Sequence, residues 1–285
     1  MNRNSQGIRS TAISGMLLCA AVILLLFAVR PVQYPVQPDV AEVRTTIAKT
    51  GRVVHACGFL ETADGERVAY TNSYDALTGM YEQGNRVCEI DIREAGDGEL
   101  ICAHGSESFL ADGMVLPPTA TEKDFLSSKI YDEFHPMNVD MLAQFMREHK
   151  DLLVITDIRG DNEAICRKIA EKYPDLMDQF VVQFYHEDEY KRIAQYGFRH
   201  LIYTLYRAED YERNLWRIHH YAETHELVGV TIQCDQFQSW KNRLAMIHCG
   251  VPMMFHTVDD QEEIAEMLSK PYVLGVYTNL TAIDY

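Results

Sequence analysis

From Arg52 to Thr278 the chain alternates short apolar runs with amphipathic stretches, and that alternation limits its fold more than any other feature. The apolar runs are "RVVHAC", "VCEIDI", "DLLVITDI", "FVVQF", "HLIYTLY", "LVGVTIQ", "VPMMFHT" and "YVLGVYT". "DLLVITDI" is almost continuously apolar, as expected of a strand covered on both faces. Between the runs lie helical patterns such as "SYDALTGMYEQG", "DNEAICRKIAEKY", "EDEYKRIAQYG" and "DQEEIAEMLSK", closed by Gly or Pro where the pattern stops. With 285 residues and 47% hydrophobic content, the chain can bury one large core. Repeated strand–helix units over such a length predict an α/β fold, a TIM-type (β/α)8 barrel occupying residues 51–285. A doubly wound open sheet is the alternative. It is disfavoured because no GxGxxG or Walker-type loop follows any predicted strand.

The first thirty residues read differently. Residues 1–10 carry Arg3 and Arg9 and no acid, and the nineteen residues from Thr11 to Val29 are uncharged. At 1.5 Å per residue such a helix just spans a hydrocarbon core of about 30 Å. The expectation is a single retained transmembrane helix over 11–29, with 1–10 cytoplasmic and the barrel outside the cytoplasm. Residues 30–50, beginning "RPVQYPVQPDV", read as an extended, Pro-rich linker.

The formal net charge is −16, which argues against a nucleic-acid partner, since phosphate backbones need basic surface. The seven cysteines show no CxxC spacing, so a structural zinc site is not expected.

Barrel enzymes carry their chemistry at the C-terminal ends of the strands. The polar residues found there are His55, Glu89, Asp91, Asp157, Arg159, Gln183 and His256, with Gln233 a weaker candidate. His104 joins them through a hairpin. Gly96-Asp97 suits a two-residue type II′ turn, which would set Asp91 opposite Cys102 and Glu89 opposite His104. Three carboxylates with open positions suit Mg²⁺ or Ca²⁺. Two histidines suit a general acid and a general base, and an arginine suits a phosphate oxygen. Together they point to metal-assisted phosphodiester cleavage. Asn72 and Ser73 read as helix caps, and the long connection 105–135 as a lid or substrate-contact loop.

These residues fall in a recognisable order: "HACG" (55–58), "EID" (89–91), "DG" (97–98) and "AHG" (103–105). That order resembles the glycerophosphodiester phosphodiesterases, whose pattern is HRG…ExD…DG…HD. It is most similar to a branch with HAGG and "YTNS", the latter present at 70–73. The resemblance spans residues 52–280. It implies His55 and His104 as the acid–base pair, and Glu89, Asp91 and Asp157 as ligands of one divalent cation. It also implies Arg159 as a phosphate contact. Gln183 and His256, by their places at strand ends, are expected to line the substrate pocket. The implied substrates are glycerophosphodiesters, lipid head groups or glycerol-phosphate polymers. Three departures stand out: Ala56-Cys57 in place of the arginine, Gly105 in place of the second aspartate, and Asn279 where "YTD" is usual. Two alternatives accompany this reading: a phospholipase D-like transferase releasing a cyclic phosphate, and a non-catalytic surface-displayed module that binds phosphate ligands.

Overall fold

A computed structural model describes residues 36–209, 214–234 and 250–281. Eight parallel strands close on themselves: β1 Arg52–Val54, β2 Val87–Glu94, β3 Leu153–Ile158, β4 Phe180–Phe184, β5 Leu201–Thr204, β6 Gly229–Gln233, β7 Met253–His256 and β8 Val273–Thr278. Closure runs through β1, which pairs with β8 over Val53↔Tyr277 and with β2 at Val54↔Cys88. The expected barrel is therefore present, and the open-sheet alternative is not. A short antiparallel extension, Leu100–Cys102 and Met137–Asn138, hangs off β2.

Alternation along each strand divides the core in two. Val54, Ile90, Ile92, Val154, Ile158, Val182 and Phe184 face outward and pack under the helices. Val53, Val87, Leu153, Ile155, Val181, Ile202 and Met254 face inward and fill the lower barrel. Above them the inward positions turn polar, beginning with Glu89, Asp157, Gln183, Thr204 and Thr231. In-register pairing carries this change around the barrel: Asp91↔Asp157, Thr204↔Thr231 and Gln233↔His256 are neighbours.

Helix α1, Pro38–Thr50, closes the bottom of the barrel. Residues 30–50 were expected to be an extended linker, and the structure corrects this from Pro38 onward. Pro38 sits at the first helical turn, where its missing N–H costs nothing. Val40, Val43 and Ile47 recur on one face and enter the barrel's lower core. Each such side chain contributes about 1.5–3 kcal/mol on burial. Gly51, at φ +68, ends the helix by donating its N–H to the Ile47 carbonyl at 2.9 Å. Arg44 ties α1 to the barrel through the carbonyls of Leu227 and Val228. Among the described residues no helix is long and apolar enough to cross a membrane; the expected anchor, 11–29, lies outside them.

The hairpin register also differs from expectation. Ala95 N–H donates to Glu99 O, and Gly98 takes φ +82. The connection is thus three residues with a left-handed glycine, not two. Ile92 therefore faces Cys102, and Ala103 N–H reaches Asp91 O at 3.0 Å. One added loop residue exchanges the faces of the returning strand.

Candidate active site

Glu89 and Asp91 rise from β2 and Asp157 from β3, all three buried. One oxygen from each can be chosen so that all lie within 4.8 Å of one another. Two oxygens of this group are held by backbone turns that few residues adopt. Ala56 and Cys57 take φ +46 and +64, which aims the Ala56 N–H at Glu89 Oε2, 2.9 Å away. Asn72, at φ +47, grips Asp91 twice: its Nδ2 donates to Oδ2 at 2.9 Å and its Oδ1 accepts the Asp91 N–H at 3.0 Å. Ser73 caps helix α2, Tyr74–Glu82, as expected, whereas Asn72 belongs to the site. Left-handed non-glycine residues cost on the order of 1–3 kcal/mol each, and such strain collects at functional sites.

Asp157 accepts from the hydroxyls of Tyr185 and Tyr206 and from Arg207 Nη2 at 3.3 Å. Arg207 also donates to the Ile158 carbonyl at 2.8 Å and lies over the rings of both tyrosines. Arg159 Nε donates to Asp91 Oδ1 at 2.8 Å, and its Nη2 lies 3.6 Å from Asp157 Oδ2. Burial opposes the charge on Arg159, but Asp91 and Asp157 outweigh it and raise the guanidinium further. Glu89 has no such partner for Oε1, which is buried without a hydrogen bond. Burial, then Asp91 and Asp157, push its carboxyl well above the usual range, against the pull of the Ala56 N–H and Arg159. A buried, unsatisfied carboxylate oxygen beside two more carboxylates fits a divalent cation bound by oxygen ligands.

The two histidines come from neighbouring segments, His55 after β1 and His104 after the strand that returns along β2. His55 follows β1, and its Nδ1 lies 3.4 Å from Asn279 Oδ1. The Asn279 amide is fixed by Asp259, which accepts from its Nδ2 at 2.8 Å and from its backbone N–H at 2.7 Å. His55 Nε2 is 3.5 Å from Glu89 Oε2. Burial lowers the His55 pKa, with Asp91, Asn279 and Asp157 resisting. His104 lies beyond the end of the returning strand at Cys102, so strand alternation no longer dictates where it points. Its Nδ1 is 2.7 Å from Asp112 Oδ2, on the long connection 105–135. That connection packs its own small core around Leu110, Phe125 and Ile130.

A cleft of about 270 Å³ opens at this end of the barrel, and both histidines, Glu89, Asp157 and Arg159 line it. Gln183 and His256 line it too; Gln183 accepts from Thr204 Oγ1, and the His256 ring packs near Tyr206 and Tyr277. Asp91 sits behind the wall, holding Arg159. A larger cavity, about 670 Å³, lies at the opposite end beside α1, where Arg199 is paired with Asp39 and Asp178. Among the described residues, the only group of three or more potential metal ligands is the carboxylate set of the upper cleft. Tyr70, Asp112, Tyr185, Tyr206, Arg207 and Asp259 were not singled out from sequence. Tyr206 ends a predicted strand and Arg207 follows it, and Tyr70 opens the "YTNS" stretch; those are the local signals available.

No family model matches the chain, and no curated protein sequence matches it. Solved structures do. A glycerophosphodiester phosphodiesterase from Agrobacterium tumefaciens str. C58 superposes with a TM-score of 0.58 at 14% identity, covering 81% of this chain and 96% of that one. One from Parabacteroides distasonis gives 0.58 at 17%, covering 81% and 94%. An Oleispira antarctica phosphodiesterase in complex with the product sn-glycerol-3-phosphate gives 0.56 at 13%, covering 81% and 95%. The chain has the fold seen in these phosphodiesterases.

Proposed function

We propose that this chain is a metal-dependent phosphodiester hydrolase acting on glycerophosphodiesters or related glycerol-phosphate substrates. The observation that carries the reading is the cleft itself: two histidines, each oriented through Nδ1, flank a buried cluster of three carboxylates. The fold shared with glycerophosphodiester phosphodiesterases, one in complex with sn-glycerol-3-phosphate, supports the substrate class.

Glu89, Asp91 and Asp157 would hold the cation, Mg²⁺ or Ca²⁺. Bound there, it would offset phosphoryl charge and draw the substrate oxygens into the cleft. The residues of the chain supply the proton transfers. The Asn279 amide, held by Asp259, presents Oδ1 to His55, so His55 carries its proton on Nδ1. Nε2 is then left with a lone pair on the cleft side, and burial keeps the ring neutral. His55 thus suits the general base. It removes the proton from the attacking hydroxyl as the new O–P bond forms. His104 has a carboxylate, Asp112, behind Nδ1, the arrangement that suits a histidine delivering a proton from Nε2. It protonates the departing alkoxide as the second P–O bond breaks. Arg159, next to the carboxylates and on the cleft wall, is placed to meet a phosphate oxygen. Gln183 and His256 form the far wall, where the alcohol portion of the substrate would lie.

The uncharged run 11–29, with the basic residues ahead of it, supports a membrane-anchored enzyme whose barrel lies outside the cytoplasm. The test uses the full-length chain and a soluble glycerophosphodiester, assayed with Mg²⁺, with Ca²⁺ and with chelator. Metal-dependent turnover should fall by at least about 10²-fold in both His55→Ala and His104→Ala. Retained turnover in both variants overturns the assignment. Phosphorus NMR of the product separates a linear monoester from a released cyclic phosphate, the latter marking a substrate hydroxyl as nucleophile with no second, hydrolytic step.

A further inference from the structure

Tyr70 lies two residues before Asn72 and shares its left-handed backbone, at φ +58. For a bulky side chain this conformation is an outlier. Asn72 explains its own by gripping Asp91, and its Nδ2 also reaches the Tyr70 carbonyl at 3.4 Å, but the Tyr70 side chain takes no part in that grip. Its turn instead places its ring on the cleft wall. The ring centroid is 4.9 Å from that of His55, edge-on at 88°, and 4.9 Å from that of His104, tilted at 43°. One side chain therefore touches both histidines, one following β1 and the other following the hairpin off β2. The Tyr70 hydroxyl makes no hydrogen bond among the described residues. Burial, then the carboxylates of Asp91, Glu89 and Asp259, hold the phenol above its ordinary value, so it stays a neutral donor. The nearby cationic donors are partly committed: Arg159 turns Nε and Nη2 to Asp91 and Asp157, which leaves it one edge for phosphate, and Arg207 is held by Asp157 and the Ile158 carbonyl. Position 56, where the resemblance would place an arginine, is Ala56.

We propose that Tyr70 is a substrate-contacting residue whose hydroxyl donates to a non-bridging oxygen of the phosphodiester held between His55 and His104. This rests on reading the cleft as a phosphodiester site. A donor aimed at an oxygen that gains charge in the transition state acts mainly on the chemical step, so its loss should lower kcat more than it raises KM.

The test compares full-length wild type with Tyr70→Phe and Tyr70→Gly, by steady-state kinetics on a glycerophosphodiester with Mg²⁺ and by calorimetric titration with inorganic phosphate. Tyr70→Phe should keep the melting temperature while kcat/KM falls about 10²–10³-fold. Phosphate should bind it several-fold more weakly. Tyr70→Gly, which relieves the backbone, should be no more active than Tyr70→Phe. Activity in Tyr70→Phe within about threefold of wild type overturns the proposal; if Tyr70→Gly is then inactive, the ring only buttresses the histidines. If wild type cleaves no diester, the hydrolase reading fails separately, and the titration decides. Weaker phosphate binding by Tyr70→Phe sustains the contact, and equal binding overturns it.

Discussion

Glu89 illustrates how a single carboxyl can oppose folding and serve a site. Its Oε1 is buried without a partner, and its pKa is pushed up by burial and by Asp91 and Asp157. A carboxyl with a raised folded-state pKa contributes most to stability below its unfolded value, about 4.3. That contribution is lost as pH rises through the folded value. Metal-free protein should therefore lose stability on going from about pH 4.5 toward neutral, and a bound cation should remove that slope. Glu89→Gln should melt higher than wild type in chelator at pH 7, by about 2–4 °C for each kcal/mol recovered in a domain this size. The same variant should lose the rise in melting temperature that Mg²⁺ or Ca²⁺ produces in wild type. Scanning calorimetry with and without metal checks both; a variant less stable than wild type in chelator would contradict the account. Gly105 is a second residue-scale case. A Cβ there would sit 2.2 Å from the Leu110 carbonyl oxygen and 2.3 Å from Arg93 Nη1. The aspartate expected at that position from the resemblance has no room here. Gly105→Ala should shift the chain next to His104 and reduce turnover by about 10-fold or more, while costing about 1–3 kcal/mol of stability in urea titration.

At the scale of elements, two pieces do work that local pattern did not reveal. Helix α1 closes the barrel from below, with Ile47 fully buried and packed close to Gly275, where a Cβ would meet Ile47 Cγ2 at 3.0 Å. Ile47→Ala should cost about 2–5 kcal/mol in denaturant unfolding, as for other buried aliphatic truncations. Since the site is at the other end of the barrel, kcat/KM of the folded fraction should hardly change. The connection 105–135 is the other piece. Its own core packs around Leu110, Phe125 and Ile130, and its Asp112 holds His104, so the loop orients a cleft histidine as well as forming the rim. The eight strands and most helices could be read from apolar periodicity, because each buries a face whose spacing is written locally. The helicity of α1 could not be read as easily: its three prolines' worth of context, Pro31, Pro35 and Pro38, favours extended chain, and only the barrel floor gives Val40, Val43 and Ile47 something to cover.

For the whole molecule, the barrel concentrates its chemistry at one end and its closure at the other. Removing divalent metal should abolish turnover without unfolding the chain, because the lower barrel and α1 hold the fold independently of the carboxylates. Circular dichroism beside the activity assay checks this; loss of secondary structure in chelator would show that the cation is needed for folding. The uncharged run 11–29 predicts that the full-length chain floats with lipid vesicles and that a chain lacking residues 1–30 does not.

The sequence by itself determined the strand–helix alternation and which residues stand at the strand ends. Both are set by neighbours one to four positions away, through burial of alternate side chains in strands and of one face in helices. His55, Glu89, Asp91, Asp157 and Arg159 were therefore visible as a set. Only the tertiary structure decided what each of them touches. It set the hairpin register by a single left-handed glycine, turned Asn72 from a cap into a grip on Asp91, engaged Arg159 with two carboxylates, and brought Tyr70, Asp112 and Asn279 against the histidines. Those contacts join segments up to 224 residues apart in sequence, and no local pattern encodes them.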